Sequence, residues 1–191
     1  GAKTTAQLLE TTDAMEVVND ILIPALDSAG KLFEQGKIFL PQLIQTASVA
    51  QAAFEVIKTT LIERNAAPVS RGEIVLATVK GDIHDIGKNI VRVLLENYGY
   101  TVLDLGRDVP CQLVADTAKE HGVKLVGLSA LMTTTLGAME ETIQLVKASC
   151  PDCKIVVGGA VLTADYAEKI GADYYAKDAM ETVAVAKEVV G

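Results

Sequence analysis

Beyond residue 72, short apolar runs alternate with helix-periodic stretches, and this alternation constrains the fold more than any other feature of the chain. Residues 74–79, 102–105, 125–129 and 155–157 are rich in Val, Ile and Leu with little polar interruption, as in strands covered on both faces. Tyr174-Tyr175 reads as a fifth, weaker strand. Residues 86–98, 110–121, 136–149 and 179–190 carry apolar positions at helical spacing. Repeated strand–helix units predict an α/β fold, a doubly wound parallel sheet of five strands with right-handed crossovers. Ligands of such sheets bind beyond the carboxyl ends of the strands. The loop holding Asp82 and His84, Ser129 with Thr133-Thr134-Thr135, and Gly158-Gly159 all fall at that edge.

Residues 4–63 have a different texture. Thr12 is placed to cap a helix carrying Met15, Val18, Ile21 and Leu22. Pro24 suits the first turn of the next helix, which ends near Gly36. Leu40, Leu43, Ile44, Ala47, Ala50, Phe54, Ile57 and Leu61 then follow three-and-four spacing, a long helix with one buried stripe. These helices need one another, so a small N-terminal bundle is expected over residues 1–66. Residues 65–72 hold Pro, Gly and polar side chains and read as a linker and hinge, with the α/β domain at 72–191.

The chemistry class is narrowed by what the composition disfavours. A net charge of −8 without a Lys/Arg-rich run argues against nucleic acid and anionic membranes as main partners. No apolar run approaches the ~18 residues of a membrane span. Three cysteines and no visible secretory signal suit a reducing cytoplasm. With aromatics at 4% and no Trp, the core must be built from Val, Ile, Leu and Ala. The chain opens on Gly1 without Met, as a cloning remnant or a piece of a longer protein does.

His84 is one of only two histidines and follows Asp82 by two residues. A carboxylate so close can fix an imidazole in one tautomer and free the other nitrogen for a metal. A protein-built zinc or iron site fits poorly, because it needs three or four ligands; one histidine suits a metal already held by something else. Gly87 leaves room for a bulky ligand near the backbone. Gly158-Gly159 reads either as a phosphate-binding turn or as close packing at a strand end. The threonines at 133–135 offer hydroxyls or a helix cap. Cys150-Pro151-Asp152-Cys153 lies between a helix end and a strand start, away from the helix N-terminus where redox pairs sit, and reads as structural. His121 reads as a surface residue on the opposite edge.

Asp82, His84 and Gly87, then Ser129 and Leu131, then Gly158 and Gly159 together resemble the Asp-x-His-x-x-Gly, Ser-x-Leu and Gly-Gly motifs of the cobalamin-binding module of B12-dependent methyltransferases. The stretch from Phe33 to Gln42 resembles the turn of that family's helical cap. The nearest likeness is to methionine synthase. The resemblance implies a flavodoxin-like or Rossmann-like B12 domain under a helical cap, with cobalamin (methylcobalamin) as cofactor. It implies His84 as the lower axial ligand of cobalt, Asp82 accepting its other ring N–H, and Thr135, in place of a serine, extending the relay. Asp85, Ile86, Gly87, Ser129, Leu131, Thr133, Gly158, Gly159, Ala176 and Ala179 would line the cofactor and its detached tail. Phe33, Leu40 and Leu43 would shield the upper face. The expected function is the methyl-carrier domain of a methionine-synthase-type enzyme, taking methyl from folate and giving it to homocysteine, with a reductive reactivation partner. The alternatives are a stand-alone corrinoid protein of a methanol, methylamine or methoxyaryl system, the B12 subunit of a mutase, or a B12-binding sensor.

Overall fold

In the computed structural model, which describes residues 2–63 and 70–191, the chain begins with helix α1 (Ala2–Leu8). After a turn, one helical run follows: α2 (Ala14–Glu16), a π-helical segment (Val17–Leu22) and α3 (Ile23–Glu34). The residue flanking α2 is Asp13 rather than Thr12, since the Asp13 carbonyl accepts the Val17 N–H at 3.0 Å. Pro24 lies in the first turn of α3, as expected, but that helix continues directly from the π-helical segment. Proline lacks an N–H and its ring presses on the carbonyl four residues back. The wide turn just before it, where the Ile23 N–H reaches back to the Val18 carbonyl, relieves that clash, so the run continues. At Gly36 (φ +68) the helix stops, with Lys37 N–H donating to Leu32 O and Gly36 N–H to Phe33 O at 2.9 Å each.

Helix α4 (Leu40–Glu63) buries Leu43, Ala47, Ala50, Ala53 and Ile57. The stripe is narrower than expected, because Leu40 and Ile44 are exposed. Helices α1 and α3 pack on α4, and Leu9, Ala14, Val17, Val18 and Ile57 form this bundle's core. The side chains of Met15 and Leu61, and the expected linker at 65–69, lie outside the described residues. The chain divides into two compact units, Gly1–Ser70 with Glu96–Gly99, and Arg71–Leu95 with Tyr100–Gly191.

The second unit is a five-stranded, all-parallel sheet in the order β2-β1-β3-β4-β5, the doubly wound arrangement with its switch point between β1 and β3. Its elements run β1 (Glu73–Thr78), α5 (Ile86–Asn97), β2 (Thr101–Asp104), α6 (Cys111–His121), β3 (Leu125–Ser129), a 3-10 turn (Thr133–Thr135), α7 (Leu136–Ser149), β4 (Lys154–Gly158), α8 (Ala164–Lys169), β5 (Tyr174–Tyr175) and α9 (Ala179–Val189). Strands alternate their side chains between two covered faces. Val75, Ala77, Val126, Leu128, Ile155 and Val157 pack against Val114, Ala118, Met139, Ile143 and Val146 of α6 and α7. Helix α9 packs on β3 and β4. Helix α8 has no counterpart among the expected elements. Its signal is local: Thr163 Oγ1 accepts the Tyr166 N–H, and Asp165 sits in the first turn.

The carboxyl ends of β3 and β4 are in close contact. Gly159 has φ +139, and a Cβ there would lie 1.8 Å from the Ala130 carbonyl oxygen. Gly87 has ordinary backbone geometry, and a Cβ there meets nothing within 4 Å. Gly159→Ala should therefore cost about 3 kcal/mol or more through strain and overpacking, while Gly87→Ala should stay within about 0.5 kcal/mol of the parent. Urea unfolding of both variants checks this.

Candidate functional site

The chain leaves β1 through a tight turn. Asp82 N–H closes it on the Val79 carbonyl at 3.0 Å, and Gly81 (φ +84) occupies the position where a type II turn needs glycine. The turn drops the Asp82 side chain into the protein, where it is 0% exposed. One carboxylate oxygen accepts the His84 backbone N–H at 3.0 Å and pairs with His84 Nδ1 at 2.8 Å. The other accepts the backbone N–H groups of Leu131 (2.7 Å) and Met132 (3.2 Å) and the Thr135 hydroxyl (3.1 Å). Burial alone would raise the Asp82 pKa. The N–H groups of His84 and Leu131, then the His84 ring and Met132, outweigh it and hold the carboxyl well below the ordinary range.

An ionised carboxylate only accepts, so Nδ1 of neutral His84 must carry the ring proton. Nε2 is left with its lone pair and no partner among the described residues. A single hydroxyl proton serves Thr135, shared between Asp82 and the Met132 carbonyl at 2.8 Å. None of the three threonines caps α7 with its side chain, contrary to the expected cap; the buried hydroxyl is spent on Asp82 instead.

Around His84 lie apolar side chains in solvent: Ile83 (61% exposed), Ile86 (78%) and Leu131 (42%). A flat, largely apolar ligand could rest on such an edge, with the bare backbone of Gly87 beside it. The glycine is not demanded by the fold, whereas Gly159 is. The paired glycines are therefore explained by packing, with Ala130 against Gly159 and the Ala176 carbonyl 3.1 Å from where a Gly158 Cβ would be. Ser129 ends β3 in register with Thr78 and Gly158, half-buried. Thr133 is exposed, Ala176 buried and Ala179 half-buried at the start of α9. Asp85 flanks α5, its carbonyl accepting the Asn89 N–H at 2.8 Å. Phe33, Leu40 and Leu43 belong to the helical unit: Leu43 is buried, Phe33 half-buried and Leu40 exposed.

Sequence reasoning passed over Ile83 and Asp108. An isoleucine between two polar residues in a loop is a usable signal for the first. Asp108 carried none: its left-handed backbone (φ 53) places its carboxylate to accept the Gly81 N–H at 2.7 Å, and its own N–H donates to the Asp82 carbonyl at 2.9 Å. The other chemistry-bearing groups stand apart. His121 pairs with Glu73 at the amino end of β1. Cys153 is buried, and burial, with Cys150 and Asp173 nearby, pushes its thiol up to about 12, unsuited to redox chemistry at neutral pH.

A family model described as a B12 binding domain matches residues 72–184, and a second of the same description matches residues 2–58. Dimethylamine corrinoid protein 1 of Methanosarcina acetivorans is 43% identical over 93% of this chain and 84% of its own length. The chain belongs to the B12-binding corrinoid proteins. Its cofactor is cobalamin. A crystal structure of a cobalamin-binding protein from Desulfitobacterium hafniense is 33% identical, with a TM-score of 0.73, covering 100% of this chain and 99% of that one. The methanol:cobalamin methyltransferase complex of Methanosarcina barkeri is 29% identical, with a TM-score of 0.82, covering 98% and 71%.

These relatives correct one expectation. They are corrinoid proteins and a methanol methyltransferase complex, not methionine synthases. The methionine-synthase-type enzyme, with its folate and homocysteine partners and its place in methionine biosynthesis, is not supported. The motifs that carried the likeness do not specify a methyl donor. No helix among the described residues is long and apolar enough to cross a membrane.

The Asp82 geometry sets a pH dependence. Its folded pKa lies below the ordinary 3.8, so its stabilising contribution is complete above that range and is lost as pH falls through the folded value. Parent stability in urea should fall as pH drops below about 4. Asp82→Asn should be less stable at pH 7, with a shallower acid slope. Equal slopes in the two proteins would contradict the assignment.

Proposed function

We propose that this protein is the methyl carrier of a methylamine methyltransferase system, with His84 Nε2 as the lower ligand of its cobalt. The observation that carries the reading is the Asp82–His84 pair, buried carboxylate against half-exposed imidazole, on a chain 43% identical to a dimethylamine corrinoid protein. The bound cofactor supplies a cobalt centre that accepts a methyl group and gives it up again. Asp82 keeps the imidazole proton on Nδ1, so Nε2 faces outward as a donor of electrons. Ile83, Ile86 and Leu131 would cover the bound cofactor with apolar surface, and Gly87 would allow it close approach to backbone. Ser129, Thr133, Ala176 and Ala179, at the ends of β3 and β5, suit the displaced nucleotide tail. Thr135 steadies the carboxylate that steadies the histidine. Such a protein turns over no substrate alone; methyltransferase partners load and unload it.

With the full chain loaded as the cob(II) form, electron spin resonance should show a triplet from one axial nitrogen. ¹⁵N-histidine labelling should turn it into a doublet, and His84→Gly should remove it. A triplet unaffected by labelling contradicts histidine ligation. For the partner system, methyl loading by a dimethylamine methyltransferase with dimethylamine should outrun loading by a methanol methyltransferase with methanol by about tenfold or more. Faster loading from methanol would reassign the system.

A further inference from the structure

Lys88 breaks two local rules. Cations are unfavourable in the first turn of a helix, where the macrodipole is positive, and Lys88 is the third residue of α5. Lysines are almost never fully buried, and Lys88 is 3% exposed. A residue that opposes both helix electrostatics and solvation marks a site where something other than folding energy is served.

Its ammonium donates to Asp104 Oδ1 at 2.5 Å and to Asn89 Oδ1 at 3.1 Å. Asp104 ends β2, where it also accepts the Gly106 N–H at 2.9 Å and one Arg92 N–H at 3.3 Å. Burial raises the Asp104 pKa, but Lys88, the Gly106 N–H and Arg92 together bring it below its ordinary value, so the pair is ionic. From Asp104 the path returns to the histidine loop. Gly106 O accepts the Thr78 N–H, and Asp108 bonds both Gly81 and Asp82. Residues 83–87 thus form a strap between two buried charges of opposite sign, Asp82 at one end and Lys88 at the other. On the strap, Ile83, His84, Ile86 and Gly87 face solvent.

We propose that Lys88 is a positioning residue for His84: by docking on Asp104 it fixes the far end of the strap whose near end Asp82 fixes. The inference rests on His84 being the cobalt ligand, and it deepens that reading. One anchor sets the tautomer and direction of the imidazole. Both are needed to keep the ring at one height above the sheet edge. Without Lys88 the first turn of α5 is free to shift, carrying Gly87 and Ile86 with it.

The test uses the full chain and Lys88→Met, which keeps the aliphatic stem and removes the charge. Asp104→Asn serves as a second variant that removes the pairing from the other side. In the cofactor-free protein, hydrogen exchange of the His84 amide should accelerate at least tenfold in both variants, and that of the β4 amides should not. In the cobalamin-loaded protein, the ratio of histidine-ligated to unligated cofactor, read from the nitrogen splitting, should fall by about 10- to 100-fold, the range for residues supporting a metal ligand. Lys88→Arg, which keeps the charge, should retain more of the ligated form than Lys88→Met. Unchanged His84 exchange and unchanged ligation, with only a lower unfolding midpoint, would overturn the proposal and leave Lys88 a structural residue. A parent protein without histidine ligation would instead defeat the proposed function, while the exchange of the cofactor-free protein still decides whether Lys88 holds the strap.

Discussion

The carboxylate of Asp82 is the constraint on which the site depends. It sits in the interior and accepts from His84 twice, from the amides of Leu131 and Met132, and from Thr135. These donors come from the loop after β1, the end of β3 and the 3-10 turn before α7, so one side chain joins both sides of the switch point. Removing it would leave buried N–H groups without acceptors, at about 1–3 kcal/mol each. The same bonds that tie the fold together fix the imidazole proton. Structure and chemistry are therefore not separable at this residue, because the carboxylate that leaves one histidine nitrogen exposed is the one that ties the loops together.

The sheet was legible because its strands are covered on both faces. Residues 125–128 and 155–157 lack polar side chains and show no alternation, and they lie in β3 and β4, whose boundaries differ from the expected ones by at most a residue. Helix α7 matches its expected span of 136–149, since Leu136, Met139, Ile143 and Val146 keep one face. His84 and Asp82 were legible because the spacing of two residues lets a carboxylate reach the ring, a local event that needs no tertiary knowledge.

What the sequence hid was non-local. Pro24 does fall in the first turn of α3, but the π-helical turn that joins this helix to the one before carries no local signal. That Gly159 is also demanded by packing is seen only once the Ala130 carbonyl is placed against it. Asp108 and Lys88 look like ordinary loop and helix charges; only the end of β2 brings Asp104 under Lys88 and turns Asp108 toward Gly81. The methyl donor was not readable from the motifs either.

The most direct test of the central claim needs no cofactor. The ring nitrogens of His84 can be read by ¹⁵N NMR of the neutral-imidazole form of the cofactor-free protein. Asp82 as an ionised acceptor requires a protonated Nδ1 and an unprotonated Nε2, in one tautomer. A proton on Nε2, or averaging between the two tautomers as in free histidine, would contradict it.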